Sequence, residues 1–268
     1  MSATAEQLRA LRQEVAGLER WTGQGAARRV PLGHAEVDAA LGGGLETGRL
    51  HELFSRAAGD VGAAAGFAAM LAARFGSGVF WLRQEQAGRQ GGALHGPGLA
   101  EIGLDPAQLI LGVLEDPLAV LAAAGEAARC PGVGSVVVEL HGMPRALDLI
   151  ATRRLALAAE GSGASVLLLR IGAEARPSAA WTRWSISAAP SAPLEAGAPG
   201  HPALDLELTR QKSGPPGGPW RVEWDRDGAS FRTWSGGGAA LSGAPLPPAA
   251  DGSSAPPRRA VLPLRRLG

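Results

Sequence analysis

The sequence has little of the side-chain chemistry on which disulfides, metal sites and membrane insertion depend. Its single cysteine, Cys130, excludes an internal disulfide and a cysteine-rich zinc site. No apolar run approaches the roughly 20 residues that a bilayer-spanning helix needs, and the polar N-terminus is unlike a signal peptide. We therefore expect a cytoplasmic protein.

Lysine is nearly absent as well, and this bears on nucleotide binding. The one lysine is Lys212, far from residues 37–67, which have the layout of a phosphate-binding loop: a glycine-rich approach, a short strand at 50–54, a small-residue turn and a helix. Such a loop needs helix N-terminal amides, a Lys for the outer phosphates and a Ser or Thr for magnesium. Here the turn at 59–62 runs directly into Ala63, Ala64 and Ala65. The sequence predicts the scaffold of a nucleotide site without its chemistry.

No other catalytic or metal-binding constellation is visible. The five histidines are scattered, and no pair has the spacing that metal ligands favour. We interpret His51, within a predicted strand, as a structural histidine. The serines lack the Gly-x-Ser-x-Gly turn of acyl-transfer enzymes. We therefore predict no enzyme activity, no catalytic residue, no metal and no cofactor.

The pattern of apolar segments predicts one α/β domain. With 268 residues, 46% hydrophobic content and a net charge of +1, the chain can bury one substantial core. Strand and helix patterns alternate from 50 to 170, which indicates crossover units and a mainly parallel sheet with helices on its faces. The predicted segments after the first strand are a strand at 79–83, a turn, helix and strand over 94–112, a strand at 135–139, a helix at 144–160, and strands at 165–170 and 183–191.

The second half contains most of the tryptophan. Strand patterns at 204–212, 220–225 and 229–234, the last two joined by a hairpin signal at 225–228, predict an antiparallel extension of the sheet near the C-terminus. We assign Trp184 and Trp224 to its core, since indoles bring large apolar area to a sheet face. The low-complexity stretch 187–202 has no Lys or Arg, which disfavours direct strand binding there.

The order of these segments resembles a known family. Residues 33–53, GHAEVDAALGGGLETGRLHEL, look like the run that leads into the first core strand of RecA-type ATPases. The chain resembles the ImuA family of RecA-like accessory proteins in three features taken together. These are the missing phosphate-binding loop, the block RRLALAAEGSGASVLLLR at 153–170 and the block RWSISAAPS at 183–191. The resemblance covers roughly residues 8–234.

The resemblance implies an assembly factor in SOS-induced, error-prone translesion DNA synthesis. The implied partners are a polymerase-fold adaptor, an error-prone replicative-type polymerase and RecA. Two alternatives stay open: a SulA-like inhibitor of the division tubulin, which would be shorter, and an ATPase with an unusual cradle. In the RecA frame, Glu139 takes the place of the acid that orients magnesium, and Glu85 lies near the acid that activates water. Because the sequence lacks the side chains that bind phosphate, we interpret Glu139 as a structural residue and Glu85 as a surface acid.

Three further segments are candidate interaction sites. An N-terminal helix carries an apolar stripe of Leu8, Leu11, Val15 and Leu18 that packs either on the protein's own core or on a second copy. Arg210 and Lys212 end a predicted strand on one face, which is either an ordinary solvated face or a counterpart of the Lys-x-Lys pair that RecA extends toward a neighbour's ATP. The tail combines apolar residues with four arginines, Arg258, Arg259, Arg265 and Arg266.

These segments suggest three regions. We expect an N-terminal helix and linker at 1–29, a RecA-like core at 30–234, and a Pro- and Gly-rich tail at 235–268 that is a solvated tail or a docking peptide.

Overall fold

The computed structural model describes residues 28–194, 198 and 200–236. Its strands are β1 Arg29–Val30, β2 Leu45–Glu46, β3 Leu50–Ser55, β4 Gly78–Gln84, β5 Leu109–Leu114, β6 Val133–His141, β7 Ser165–Ile171, β8 Thr182–Ala188, β9 Ala203–Gln211, β10 Gly217–Asp225 and β11 Ser230–Thr233. Its helices are α1 Ala35–Ala40, α2 Val61–Phe75, α3 Glu85–Gly91, α4 Gly96–Glu101, α5 Pro117–Ala127 and α6 Leu149–Ser162. Short 3-10 turns lie at Ala58–Asp60 and Pro106–Gln108.

One large mixed sheet organises the fold. Within the described residues it has nine strands in the order β11-β10-β9-β8-β3-β7-β6-β4-β5, and β1 pairs with β2 separately. The strands from β8 through β3 to β5 run parallel. From β8 outward to β11 each pairing is antiparallel. The predicted mainly parallel sheet with an antiparallel extension near the C-terminus is therefore confirmed.

Both faces of the central strands are buried, which explains their continuous apolar sequences. On one face α2 packs through Phe67 against side chains such as Leu53 and Trp184. On the other face α5 and α6 cover Leu50 and Leu168. The β3–α2 turn follows the carboxyl end of β3, which is one of these central strands.

The two indoles assigned to the core from sequence are fully buried. Trp184 lies 5.7 Å, centroid to centroid, from Phe67, and Trp224 lies 4.8 Å from Phe231. Edge-to-face and tilted ring pairs of this kind add to the area that the rings bury. The core assignment is confirmed for both residues.

Several predicted boundaries are shifted. The helix predicted at 144–160 begins only at Leu149, because the Asp148 carboxylate caps it by accepting from the Ala151 amide at 2.7 Å. Strand β6 does not end at Glu139 but continues to His141, and β9 ends before Lys212. Arg29, the last residue of the predicted linker, belongs to β1.

Two predicted interaction segments lie outside the described residues. These are the N-terminal stripe of Leu8, Leu11, Val15 and Leu18 and the tail arginines Arg258, Arg259, Arg265 and Arg266. Within the part of the chain that is described, no helix is both long and apolar enough to cross a bilayer.

Candidate functional site

The turn between β3 and α2 is the segment that the sequence predicts as a degenerate phosphate-binding loop, and it holds an aspartate, Asp60, whose carboxylate binds backbone amides outside α2. Asp60 precedes the first residue of α2, where the helix dipole favours negative charge. Its Oδ2 accepts a hydrogen bond from the Ala57 amide at 3.0 Å, and its Oδ1 accepts one from the Ala188 amide at 2.9 Å. The Asp60 carboxylate thus ties the start of the 3-10 turn to the end of β8, and it caps none of the amides of α2.

The first turn of α2 contributes to the core instead of to a ligand. Val61 is 5% exposed and Ala64 is fully buried, and Ala63 and Ala65 pack against the same cluster. No ammonium or hydroxyl group projects from this turn. The first turn of α2, which was predicted to lack phosphate-binding side chains, carries only glycine and small apolar side chains, and most of these pack into the core.

The glycines of the turn are not required by its geometry. A Cβ built on Gly59 or Gly62 would meet no atom within 4 Å, and neither residue has a positive φ. Glycine is essential where a backbone must approach a ligand closely or adopt a left-handed conformation. Neither Gly59 nor Gly62 has a left-handed backbone, and no protein atom crowds either position.

Glu139 is fully engaged by protein partners. It is 1% exposed, its Oε1 lies 2.7 Å from Arg83 Nη2, and its Oε2 accepts from Trp81 Nε1 at 2.8 Å. Arg83 in turn donates from Nη1 to the Gly92 carbonyl at 2.8 Å, which connects β4 and β6 to the end of α3. The carboxylate therefore cannot bind a metal without leaving a buried guanidinium unpaired.

Glu85, the second candidate acid, lies on the surface. It is the first residue of α3, and its carboxylate pairs with Arg89 one turn later at 2.7 Å. No group of three or more His, Cys, Asp or Glu side chains that could hold a metal occurs among the described residues.

His51 has the environment of a structural histidine. It is buried, with Nδ1 2.8 Å from Thr182 Oγ1 and Nε2 3.0 Å from the Glu46 carbonyl oxygen. Burial lowers the pKa of His51 to about 4, so the ring is neutral at physiological pH.

Arg210 and Lys212 lie along the segment that precedes β8. Arg210 Nη1 donates to the Ser178 carbonyl at 3.2 Å, and the Lys212 ammonium lies 5.6 Å from the centre of the Trp181 ring. The Arg49 guanidinium approaches the same ring at 4.2 Å. Neither Arg210 nor Lys212 pairs with a carboxylate within the described residues.

Sequence reasoning missed Asp60 and Arg83. Asp60 lies immediately before α2 but caps none of its amides; its carboxylate accepts from Ala57 and from the distant Ala188, and the second contact had no local signal. The pairing of Arg83 with Glu139 spans 56 residues and had no local signal.

Comparison with known proteins identifies the fold. No protein-family model matches the chain, and no curated protein matches it. Among solved structures, the crystal structure of the RadB recombinase is similar with a TM-score of 0.50 and 15% sequence identity, over 76% of this chain and 99% of that chain. At this identity the likeness concerns the fold alone, and the fold is RecA-like.

Proposed function

We propose that this chain is a non-catalytic RecA-like assembly factor in error-prone translesion DNA synthesis. The observation that supports the proposal is the first turn of α2, which has only Gly and small apolar side chains where a RecA-type ATPase needs a Lys and a hydroxyl group. The link to translesion synthesis comes from the sequence blocks at 153–170 and 183–191, which resemble the ImuA family.

Phosphoryl transfer depends almost entirely on positioning and on charge stabilisation. Loss of the Lys and the hydroxyl removes charge-assisted contacts of about 1.5–3 kcal/mol each. The Asp60 carboxylate also places negative charge beside the position that a phosphate would take. Titration calorimetry with Mg-ATP should detect no binding, and a dissociation constant in the low micromolar range would contradict the proposal.

The proposed partners are a polymerase-fold adaptor, an error-prone replicative-type polymerase and RecA, all in the cytoplasm. A reconstitution with purified adaptor, polymerase and division tubulin separates this function from that of a division inhibitor. We expect the chain to co-elute with the adaptor or the polymerase. Co-elution with the tubulin alone would replace the proposal with the inhibitor function.

Contact with RecA can be tested through Arg210 and Lys212. Both cations lack a carboxylate partner in the described part of the chain, so a neighbour's phosphates could compete with the Ser178 carbonyl for Arg210 and bind Lys212 directly. Surface-binding measurements with RecA in its ATP and ADP states should show ATP-dependent binding that weakens in the variant with Arg210→Ala and Lys212→Ala. Arg129→Ala, which removes another exposed arginine, is the control. Equal binding by the wild type and the double variant in both nucleotide states would exclude this contact.

A further inference from the structure

Three arginines and one glutamate meet where β3, β7 and β8 run side by side. We refer to Glu52, Arg170, Arg176 and Arg183 as the arginine cluster. Glu52 lies on β3 directly opposite Arg183 on β8, Arg170 lies near the end of β7, and Arg176 lies in the connection between β7 and β8. None of these residues belongs to the turn between β3 and α2.

The single carboxylate of the cluster is compensated by one of the arginines. Glu52 is 1% exposed, and its Oε2 accepts from Arg183 Nε at 2.9 Å, from Arg183 Nη2 at 2.7 Å and from Ser178 Oγ at 2.7 Å. Arg170 comes only within 3.8 Å of Glu52 Oε1. Arg176 forms no ion pair among the described residues, and neither does its sequence neighbour Glu174. The cluster thus holds three positive charges against one negative charge.

Arg170 is both buried and poorly satisfied. It is 5% exposed, its Nε has no hydrogen-bond partner, and its Nη2 makes only long contacts to the Gly142 carbonyl at 3.4 Å and to Met143 Sδ at 3.8 Å. Burial lowers the pKa of Arg170 below its ordinary value. The negative charge of Glu52 acts to raise this pKa, and the positive charges of Arg183 and Arg176 lower it further. A buried cation with unmet donors is unfavourable unless an anion joins it.

A small pocket adjoins this side chain. Its lining includes Arg170, Arg176, Met143 and also Glu52, and its volume of about 10 Å³ has room for one water-sized group. A guanidinium donates charge-assisted hydrogen bonds to carboxylate oxygens. The space takes a single oxygen atom, so one carboxylate oxygen would enter it beside Arg170, and the other would stay at its mouth, which the exposed Arg176 also lines.

We propose that the arginine cluster is a binding site for one carboxylate group, which Arg170 and Arg176 recognise together. The carboxylate is either a free small-molecule anion or an Asp or Glu side chain of a protein partner. The thioether of Met143 is flexible and contacts Arg170 Nη2 at 3.8 Å, so it can move aside as the carboxylate enters.

Thermal unfolding followed by tryptophan fluorescence tests the site. At equal ionic strength and neutral pH, sodium acetate should raise the unfolding midpoint of the wild type above that in sodium chloride, by about 3–5 °C at roughly ten times the dissociation constant. Arg176→Ala and Arg170→Lys should both abolish the difference. Arg176 is exposed, so its variant remains informative if Arg170→Lys does not fold. Arg153→Ala, an exposed arginine of α6, should keep the full difference.

A blocked tripeptide with a central Glu, and its Gln counterpart, identify the source of the carboxylate. If the Glu peptide binds at least as tightly as acetate and the Gln peptide does not bind, the site accepts a side chain; if acetate alone binds, it accepts a free anion. Equal midpoints in acetate and chloride for the wild type would overturn the proposal, as would an undiminished acetate effect in Arg176→Ala. A larger shift with phosphate or with a dT oligonucleotide would overturn the assignment to a carboxylate.

Discussion

The variant Glu139→Gln tests whether the acid at the magnesium position has become a structural residue. The change keeps the shape of the side chain and removes its charge. Arg83, with a side chain only 6% exposed, is then a buried cation without a counter-charge. The amide cannot replace the carboxylate, because its one oxygen cannot accept from both Trp81 and Arg83 at their present positions.

Breaking a buried ion pair at one partner costs about 3–5 kcal/mol. That is a large fraction of the roughly 5–15 kcal/mol by which a domain is stable. Urea unfolding followed by tryptophan fluorescence should therefore show a strongly lowered midpoint for Glu139→Gln. The double variant with Arg83→Met and Glu139→Gln should lose less stability than the two single variants together, because it leaves no unpaired charge.

Glu85→Gln is the matched control, since it changes the other candidate acid at an exposed position and should unfold like the wild type. Millimolar magnesium should leave the unfolding of every variant unchanged. Equal midpoints for Glu139→Gln and Glu85→Gln would refute the structural assignment. Stabilisation of the wild type by magnesium that disappears in Glu139→Gln would show a metal site instead.

Two further predictions concern pH and association. The pKa of His51 is 6.5 in the unfolded chain and about 4 in the folded one, so the unfolded state binds more protons between these pH values. We therefore expect His51 to lower the free energy of unfolding by about 3 kcal/mol as the pH falls from 6.5 to 4. His51→Gln should lack this part of the pH dependence of the free energy of unfolding, and identical pH profiles would contradict the prediction. Replacing Leu11 and Val15 by Asp should lower the mass measured by light scattering without unfolding the core, if the N-terminal stripe joins two copies. An unchanged mass, or an unfolded variant, would show that it does not.

The sequence allowed the fold to be predicted because burial on both faces leaves a local signature. The strands from 50 to 170 are continuous apolar runs, and the hairpin signal at 225–228 lies where β10 turns into β11. The start of α6 was placed too early, because residues 144–148 contain no residue that excludes a helix. The helix begins at Leu149 because Asp148 caps it.

The site was predicted only by what it lacks. That no Lys or hydroxyl group follows the turn is visible in the sequence, whereas the contacts that replace them join distant segments. Asp60 reaches an amide 128 residues away, and Arg83 pairs with Glu139 across 56 residues. The arginine cluster was missed for the same reason, because its members lie on three strands and one connection that only the folded sheet brings together.

The Asp60 contacts also bear on any attempt to engineer a phosphate-binding loop into this fold. A lysine introduced at the start of α2 would stand near the Asp60 carboxylate, which would compete with a phosphate for its ammonium group. The lysine and the hydroxyl group would therefore have to be introduced together with a neutral residue at position 60, and the amides of Ala57 and Ala188 would then need new acceptors.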